Sequence, residues 1–254
     1  MTNDDEFSLD LGNIQTQWSL IRKAHQASLV GESASAARQS LVMRYAPAVR
    51  RFVQVIVRDP NMADELSQDA MIRILRGDFA GADPNRGRFR DLLKTAIRNM
   101  ARNYWAKENR RSSADFDLSL LDDDGQETQK LDEEWTSQWR ENTLSNVWDK
   151  LLDWQESSET SVAHTVLKLR SEVPDASSTK LAERLSESTG RQYTPANTRQ
   201  LLRRARVKFV EILVSEVADG LESPSPDDIC EELVALGLYA NVKDLLPAEL
   251  KQHE

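Results

Sequence analysis

Apolar side chains recur every three or four residues along most of this chain, the repeat of an α-helix. Leu41, Tyr45, Val49, Phe52 and Ile56 form one such stripe and predict a helix over about Ser35 to Arg58. An earlier helix is predicted from Ile14 to Val30, with Trp18 and Ile21 on one face. Asp59-Pro60-Asn61 reads as a turn, because proline disfavours the α region for the residue before it. Met62, Leu66, Ala70 and Ile74 then predict a helix ending at Arg76. Gly81, Pro84 and Gly87 make Gly77 to Gly87 a loop. Beyond it, Phe89, Leu92, Leu93, Ala96, Ile97, Met100 and Tyr104 predict a helix running to about Trp105.

The second half repeats the pattern. Leu144, Trp148, Leu151 and Leu152 place a helix within Trp135 to Gln155, and Val162, Val166 and Leu169 mark another. Leu181, Ala182 and Leu185 predict a short helix from Thr179 to Glu187, followed by a loop from Ser188 to Tyr193. Thr194 and Pro195 form a helix start, a capping hydroxyl before a proline at the first helical position, for a helix reaching about Val217. The tail from Leu221 to Glu254 reads as helical, with Ile229, Leu233, Leu236, Leu245 and Leu246 apolar. No segment alternates with the period of a strand, so the predicted fold class is all-α, two helical domains joined by a linker.

Charge sharpens the division. The formal net charge is -9, yet the cations are clustered. Arg86, Arg88, Arg90, Lys94, Arg98, Arg102, Lys107, Arg110 and Arg111 face only Asp91 and Glu108 within their own stretch. Arg191, Arg199, Arg203, Arg204, Arg206 and Lys208 form a second basic block, whereas 112–134 and the tail are acidic. The expected organisation is therefore a first domain over 1–111, a linker over 112–134, a second domain over 135–220 and an acidic helical extension over 221–254. Arg90, Lys94, Arg98 and Arg102 recur every fourth residue, a spacing at which like charges repel along a helix. Such a stripe either serves a polyanion, nucleic acid first, or is a solvated face laced with salt bridges. The scarcity of neighbouring acids favours the polyanion.

Other chemistry is thin. A single cysteine, Cys230, excludes an internal disulfide framework. The acidic start lacks the basic and apolar regions of a signal peptide, and no apolar run is long enough to cross a bilayer, which makes the cytoplasm the expected location. His25, His164 and His253 are scattered without ligand spacing, and no phosphate loop, nucleophile elbow or acid dyad occurs. The expectation is no metal, no cofactor, no small-molecule substrate and no enzymatic activity.

Three stretches carry a resemblance. Asp59-Pro60-Asn61-Met62-Ala63-Asp64-Glu65-Leu66-Ser67-Gln68-Asp69 resembles the signature of the extracytoplasmic-function (ECF) class of bacterial RNA polymerase sigma factors. Asp83-Pro84-Asn85-Arg86-Gly87-Arg88-Phe89-Arg90, with Ala96-Ile97-Arg98-Asn99 and Tyr104, is similar to the stretch that follows in that class. Leu202-Arg203-Arg204-Ala205-Arg206 resembles the end of its promoter-reading helix, and Trp18 and the acidic tail resemble a subgroup with extended ends. The resemblance implies a region 2-like domain and a region 4-like helix-turn-helix domain. It also implies roles. Asp64, Glu65, Leu66, Gln68 and Asp69 would dock on the clamp coiled coil of the polymerase largest subunit. Arg86, Arg88, Arg90, Lys94, Arg98, Asn99, Arg102, Asn103, Tyr104 and Trp105 would open and hold the promoter -10 element. Thr198, Arg199, Gln200, Arg203 and Arg204 would read the -35 element. The partners implied are core RNA polymerase, promoter DNA and an inhibitory anti-sigma protein.

The residue chemistry agrees. Melted DNA is held by cations for phosphates and by flat or amide groups for unstacked bases. Arg98, Arg102, Asn99, Asn103, Tyr104 and Trp105 supply both, although a core role is equally open to Tyr104 and Trp105. A helix entering the major groove with arginines suits duplex reading. Two departures stand out: about six extra residues between Leu185 and Arg204, judged by the short turn of such motifs, and Leu92-Leu93 where the family carries a tryptophan. Two rivals remain: a stand-alone helix-turn-helix regulator, and a sigma-like interaction protein that no longer reads promoters. The acids of 112–134, Asp122 to Asp124 at their centre, are either a solvated connector or a shield for the basic surfaces. Trp135, Trp139, Trp148 and Trp154 are read as packing residues.

Overall fold

A computed structural model describes residues 32–57, 59–76, 78, 89–108, 126–219, 221 and 224–251. The predicted helix over Ile14 to Val30, most of the loop from Gly77 to Gly87, and linker residues 112–125 with Asp122 to Asp124 lie outside them. Among the described residues every regular element is a helix. They are α1 (Glu32–Ile56), α2 (Pro60–Arg76), α3 (Phe89–Glu108), α4 (Gln126–Glu156), α5 (Ala163–Glu172), α6 (Ser178–Thr189), α7 (Pro195–Ala218), α8 (Pro226–Ala235) and the single turn α9 (Tyr239–Val242). Two 3-10 turns follow, Lys243–Leu245 and Ala248–Leu250.

The chain divides into two compact units. Described residues of 32–142 and 217–236 form the first; those of 143–216 and 237–251 form the second. In the first, α1 packs on α2 and both touch α3. Tyr45, Val49, Phe52 and Ile56 of α1 are buried with Ala63, Leu66, Ala70 and Ile74 of α2 and with Leu93, Ile97 and Met100 of α3. These are largely the stripes that the periodicity marks. Pro47 sits inside α1, where it removes one backbone donor; burial of Tyr45, Ala48 and Val49 on either side holds the helix through it. Asp59 caps α2: its carboxylate accepts from the N–H groups of Asn61 (2.8 Å) and Met62 (3.2 Å), with Pro60 in the first turn. The expected turn is thus a helix start.

α4 begins at Gln126, inside the stretch expected to be linker. Acidity masked its period. Leu131, Trp135 and Trp139 stand four residues apart and are all buried. Tyr45 stacks on Trp139 (ring centroids 5.2 Å apart, planes 8° off parallel), and Phe52 meets Trp135 at 4.6 Å. Arg51 of α1 adds hydrogen bonds to Glu141 (2.6 Å) and Gln138 (3.2 Å).

The expected acidic extension also divides between the units. A capping box opens α8, with Ser225 Oγ accepting from Asp228 N–H and Asp228 accepting from Ser225 N–H, and Pro226 at the first position. Gly237, at φ 66°, then turns the chain toward the second unit, a left-handed conformation that a residue with a Cβ adopts poorly.

In the second unit, Val147 and Leu151 of α4 are buried with Val166 of α5, Leu181 and Leu185 of α6, and Leu213 and Val214 of α7. Trp148 meets His164 and Phe209 edge-on, at 5.6 and 5.4 Å. Glu216 is buried and satisfied by Asn146 Nδ2 (2.9 Å) and Lys150 Nζ (2.6 Å). Trp154 departs from its expected core role: it is exposed, with Lys208 Nζ 5.1 Å from its ring centre.

Trp135→Ala should lower the unfolding free energy by about 3–5 kcal/mol in urea titrations, because a large buried ring leaves a cavity. Trp154→Ala should cost under about 1 kcal/mol, the scale of an exposed cation–π contact.

Candidate nucleic-acid interface

Four residues of α-helix turn the chain about 40° past a full circle, so Arg90, Lys94, Arg98 and Arg102 sweep across one side of α3. The sweep starts beside the buried arc of Leu93, Ile97 and Ala101. Arg90 is consequently buried, and its guanidinium forms an ion pair at 3.1 Å with Glu232 of α8; the two side chains are 8% and 7% exposed. Asp132 of α4 lies 2.9 Å from Arg98 Nη2 and 3.1 Å from Lys94 Nζ. Arg98 is 10% exposed, whereas Asp132 is 42% exposed.

This corrects the expectation that the stripe is open to a polyanion. Arg90, Lys94 and Arg98 are each paired within the first unit. The acids that pair them are remote in sequence, so no local count could find them. Asn99 and Asn103 lie on the exposed face of α3, while Arg102, Tyr104 and Trp105 are half-buried, the two rings edge-to-face at 6.0 Å. Arg86 and Arg88 lie outside the described residues.

On α2, Glu65 and Gln68 are exposed and Asp64 and Asp69 half-exposed. Asp64 accepts from Arg50 Nη2 (2.9 Å), and Asp69 pairs with Arg73 one turn on (3.2 Å). Leu66 is buried and cannot be a docking contact; it anchors the helix from beneath. Ile72 and Leu75, not anticipated, are exposed apolar residues farther along α2.

In the second unit, α6 runs to Thr189, so the link to α7 is shorter than the expected Ser188 to Tyr193 loop. Gly190, at φ 70°, ends α6 in the left-handed conformation that closes many helices. Ser186 Oγ accepts from Tyr193 N–H (3.0 Å), folding the turn back. Thr194 caps α7, its Oγ1 accepting from Asn197 N–H (3.2 Å). Thr198 is fully buried and donates its hydroxyl to Thr194 O, which removes it from the candidate base-reading set. The other four are exposed but lie on two arcs. Arg199 and Arg203 line a cavity of about 740 Å³ with Arg206, opposite Asn241, Val242 and Asp244. Gln200 and Arg204 project from the neighbouring arc, about 100° around the helix.

Burial, and Lys168 nearby, lower the pKa of His164 below its ordinary 6.5, with Asp149 and Glu156 opposing. Burial and Asp227 raise that of the Cys230 thiol. Among the described residues no His, Cys, Asp and Glu cluster could hold a metal ion, and no helix is long and apolar enough to cross a membrane.

Residues 41–111 match the protein family Sigma-70 region 2. The chain therefore carries a sigma-70 region 2 domain, the part of sigma-70 family factors that binds RNA polymerase and recognises the promoter -10 element. The match contains every candidate polymerase and -10 contact and stops short of α6 and α7. Neither the curated proteins nor the solved structures compared with the chain give a match.

Removing one member of the Arg90–Glu232 pair should cost about 3–5 kcal/mol in denaturant unfolding, because the other is left charged and buried. Arg90→Met combined with Glu232→Leu should recover most of that loss. His164 favours its neutral form when folded, so the unfolded chain takes up the proton first. Stability should hold above the ordinary value of 6.5 and fall as pH drops through it. Melting curves from pH 7.5 to 5.5 should show a smaller decline for His164→Gln.

Proposed function

We propose that the chain is an ECF-type sigma factor that binds core RNA polymerase and directs initiation at a subset of promoters. The region 2 match over 41–111 carries this reading. Glu65 and Gln68, flanked by Asp64 and Asp69, offer acceptors on the outer face of α2 for the polymerase clamp coiled coil. Leu66 supports that surface from the core. On α3, Asn99 and Asn103 offer amides to unstacked bases, with Arg102, Tyr104 and Trp105 at their border supplying charge and stacking. Arg86 and Arg88 precede them. The turn between α6 and α7, five residues from Gly190 to Thr194, supports a helix-turn-helix in the second unit. Arg199, Gln200, Arg203 and Arg204 are then the -35 contacts. The chain itself catalyses nothing in this reading; it supplies positioned contacts in the cytoplasm while polymerase does the chemistry. An anti-sigma inhibitor is a compatible partner.

Asp64→Lys with Glu65→Lys should weaken binding to purified core polymerase by at least roughly tenfold, a change of about 1.4 kcal/mol. Unchanged core binding by a folded variant would remove the polymerase-docking role. Arg102→Ala with Tyr104→Ala should leave core binding intact and reduce promoter opening, read by permanganate reactivity of unpaired thymines. One lost stacking contact corresponds to about 1–3 kcal/mol.

A further inference from the structure

We propose that α4 and α8 are an intramolecular mask: Asp132 and Glu232 occupy the positions on α3 where DNA phosphates bind, and the unit must loosen for Arg90, Lys94 and Arg98 to be used. The proposal rests on the reading of α3 as the DNA-holding helix.

Four observations carry it. First, one Asp132 oxygen bridges Lys94 Nζ and Arg98 Nη2 at 3.1 and 2.9 Å, the way a phosphate oxygen bridges two cations. Second, the covering helices are acidic where the covered one is basic. α8 carries Asp227, Asp228, Glu231 and Glu232 with no cation, against the four-residue stripe of cations on α3. Third, α3 and α8 meet through a buried ion pair, 8% and 7% exposed, where an apolar pair of similar size would hold the helices together at least as well. Cohesion alone does not require charge at this place. Fourth, the two pairing acids are covered to different degrees. Asp132 remains 42% exposed and Lys94 20% exposed, whereas Arg90 and Glu232 are closed off. A competing polyanion meets the Asp132 edge first and the Glu232 end last.

The consequence is conditional binding. Without polymerase, the phosphates of stray nucleic acid must compete with carboxylates already in place, at the high effective concentration of an intramolecular contact. Removing those carboxylates should expose three cations.

The test uses the full-length protein without polymerase and a fluorescein-labelled thymine-rich single-stranded oligonucleotide, with binding read by anisotropy. Asp132→Asn with Glu232→Gln should bind roughly tenfold more tightly than wild type, with the slope of log affinity against log salt steeper by about two units for three released cations. Glu141→Gln, which removes one α4 acid beside Arg51, should change affinity less than twofold. Asp132→Asn alone, at a half-exposed site that leaves the fold intact by circular dichroism, should give part of the gain. Adding Lys94→Ala and Arg98→Ala should abolish it. A double variant no tighter than the Glu141 control, or a gain that survives loss of Lys94 and Arg98, would overturn the mask. Promoter opening by the wild-type protein with core polymerase reports the α3 reading separately. Opening without any gain in the variants defeats the mask alone, whereas absence of both defeats the reading beneath it.

Discussion

The geometry of the first unit depends on cations that cannot stay unpaired. Arg90 lies against the core arc of α3, where an isolated guanidinium would be strongly disfavoured by loss of water. Glu232 answers it from α8, and Asp132 answers Lys94 and Arg98 from α4. Each acid ties a helix distant in sequence to the same face. Asn99 and Asn103 remain on the exposed face of α3, with Arg102, Tyr104 and Trp105 half-buried at its edge.

Aromatic packing supplies the cohesion that those ion pairs do not. Tyr45, Trp139, Trp135 and Phe52 form a continuous set of ring contacts between α1 and the first half of α4. The second half of α4 uses other residues, Val147, Trp148 and Leu151, in the second unit. One helix thus serves two cores with two stripes, which is why its period is hard to see in a single reading of its length. Helices α1 to α3 meet acidic and aromatic side chains of α4 and an acid of α8, and those contacts bear on any function assigned to the basic side of α3.

Much of this was legible beforehand. The stripes of α1, α2 and α3 mark Tyr45, Val49, Phe52, Ile56, Leu66, Ala70, Ile74, Leu93, Ile97 and Met100, all buried, and Thr194-Pro195 marks the start of α7 to the residue. The differences share a cause: in these stretches composition hides the helical period. Acidic residues in 126–134 resemble a linker, yet Leu131 and Trp135 stand in helical register there. Ser188 and Thr189 read as loop formers, but their hydroxyls donate to the Leu185 carbonyl within an α6 that runs two residues longer. Thr198 carried the right polarity for base reading and the wrong orientation, since it faces inward one turn after its cap.

Helical period, caps and blocks of charge are local properties, set by neighbours within a few residues, and the chain alone determined them: an all-α protein with a cationic stripe on one helix. The meaning of that stripe was decided in three dimensions. Coulomb attraction and desolvation act through space, so the partners of Arg90 and Arg98 could be found only once folding had brought α4 and α8 beside α3. Whether a positive helix faces a nucleic acid or its own chain is a question that spacing along the sequence does not contain.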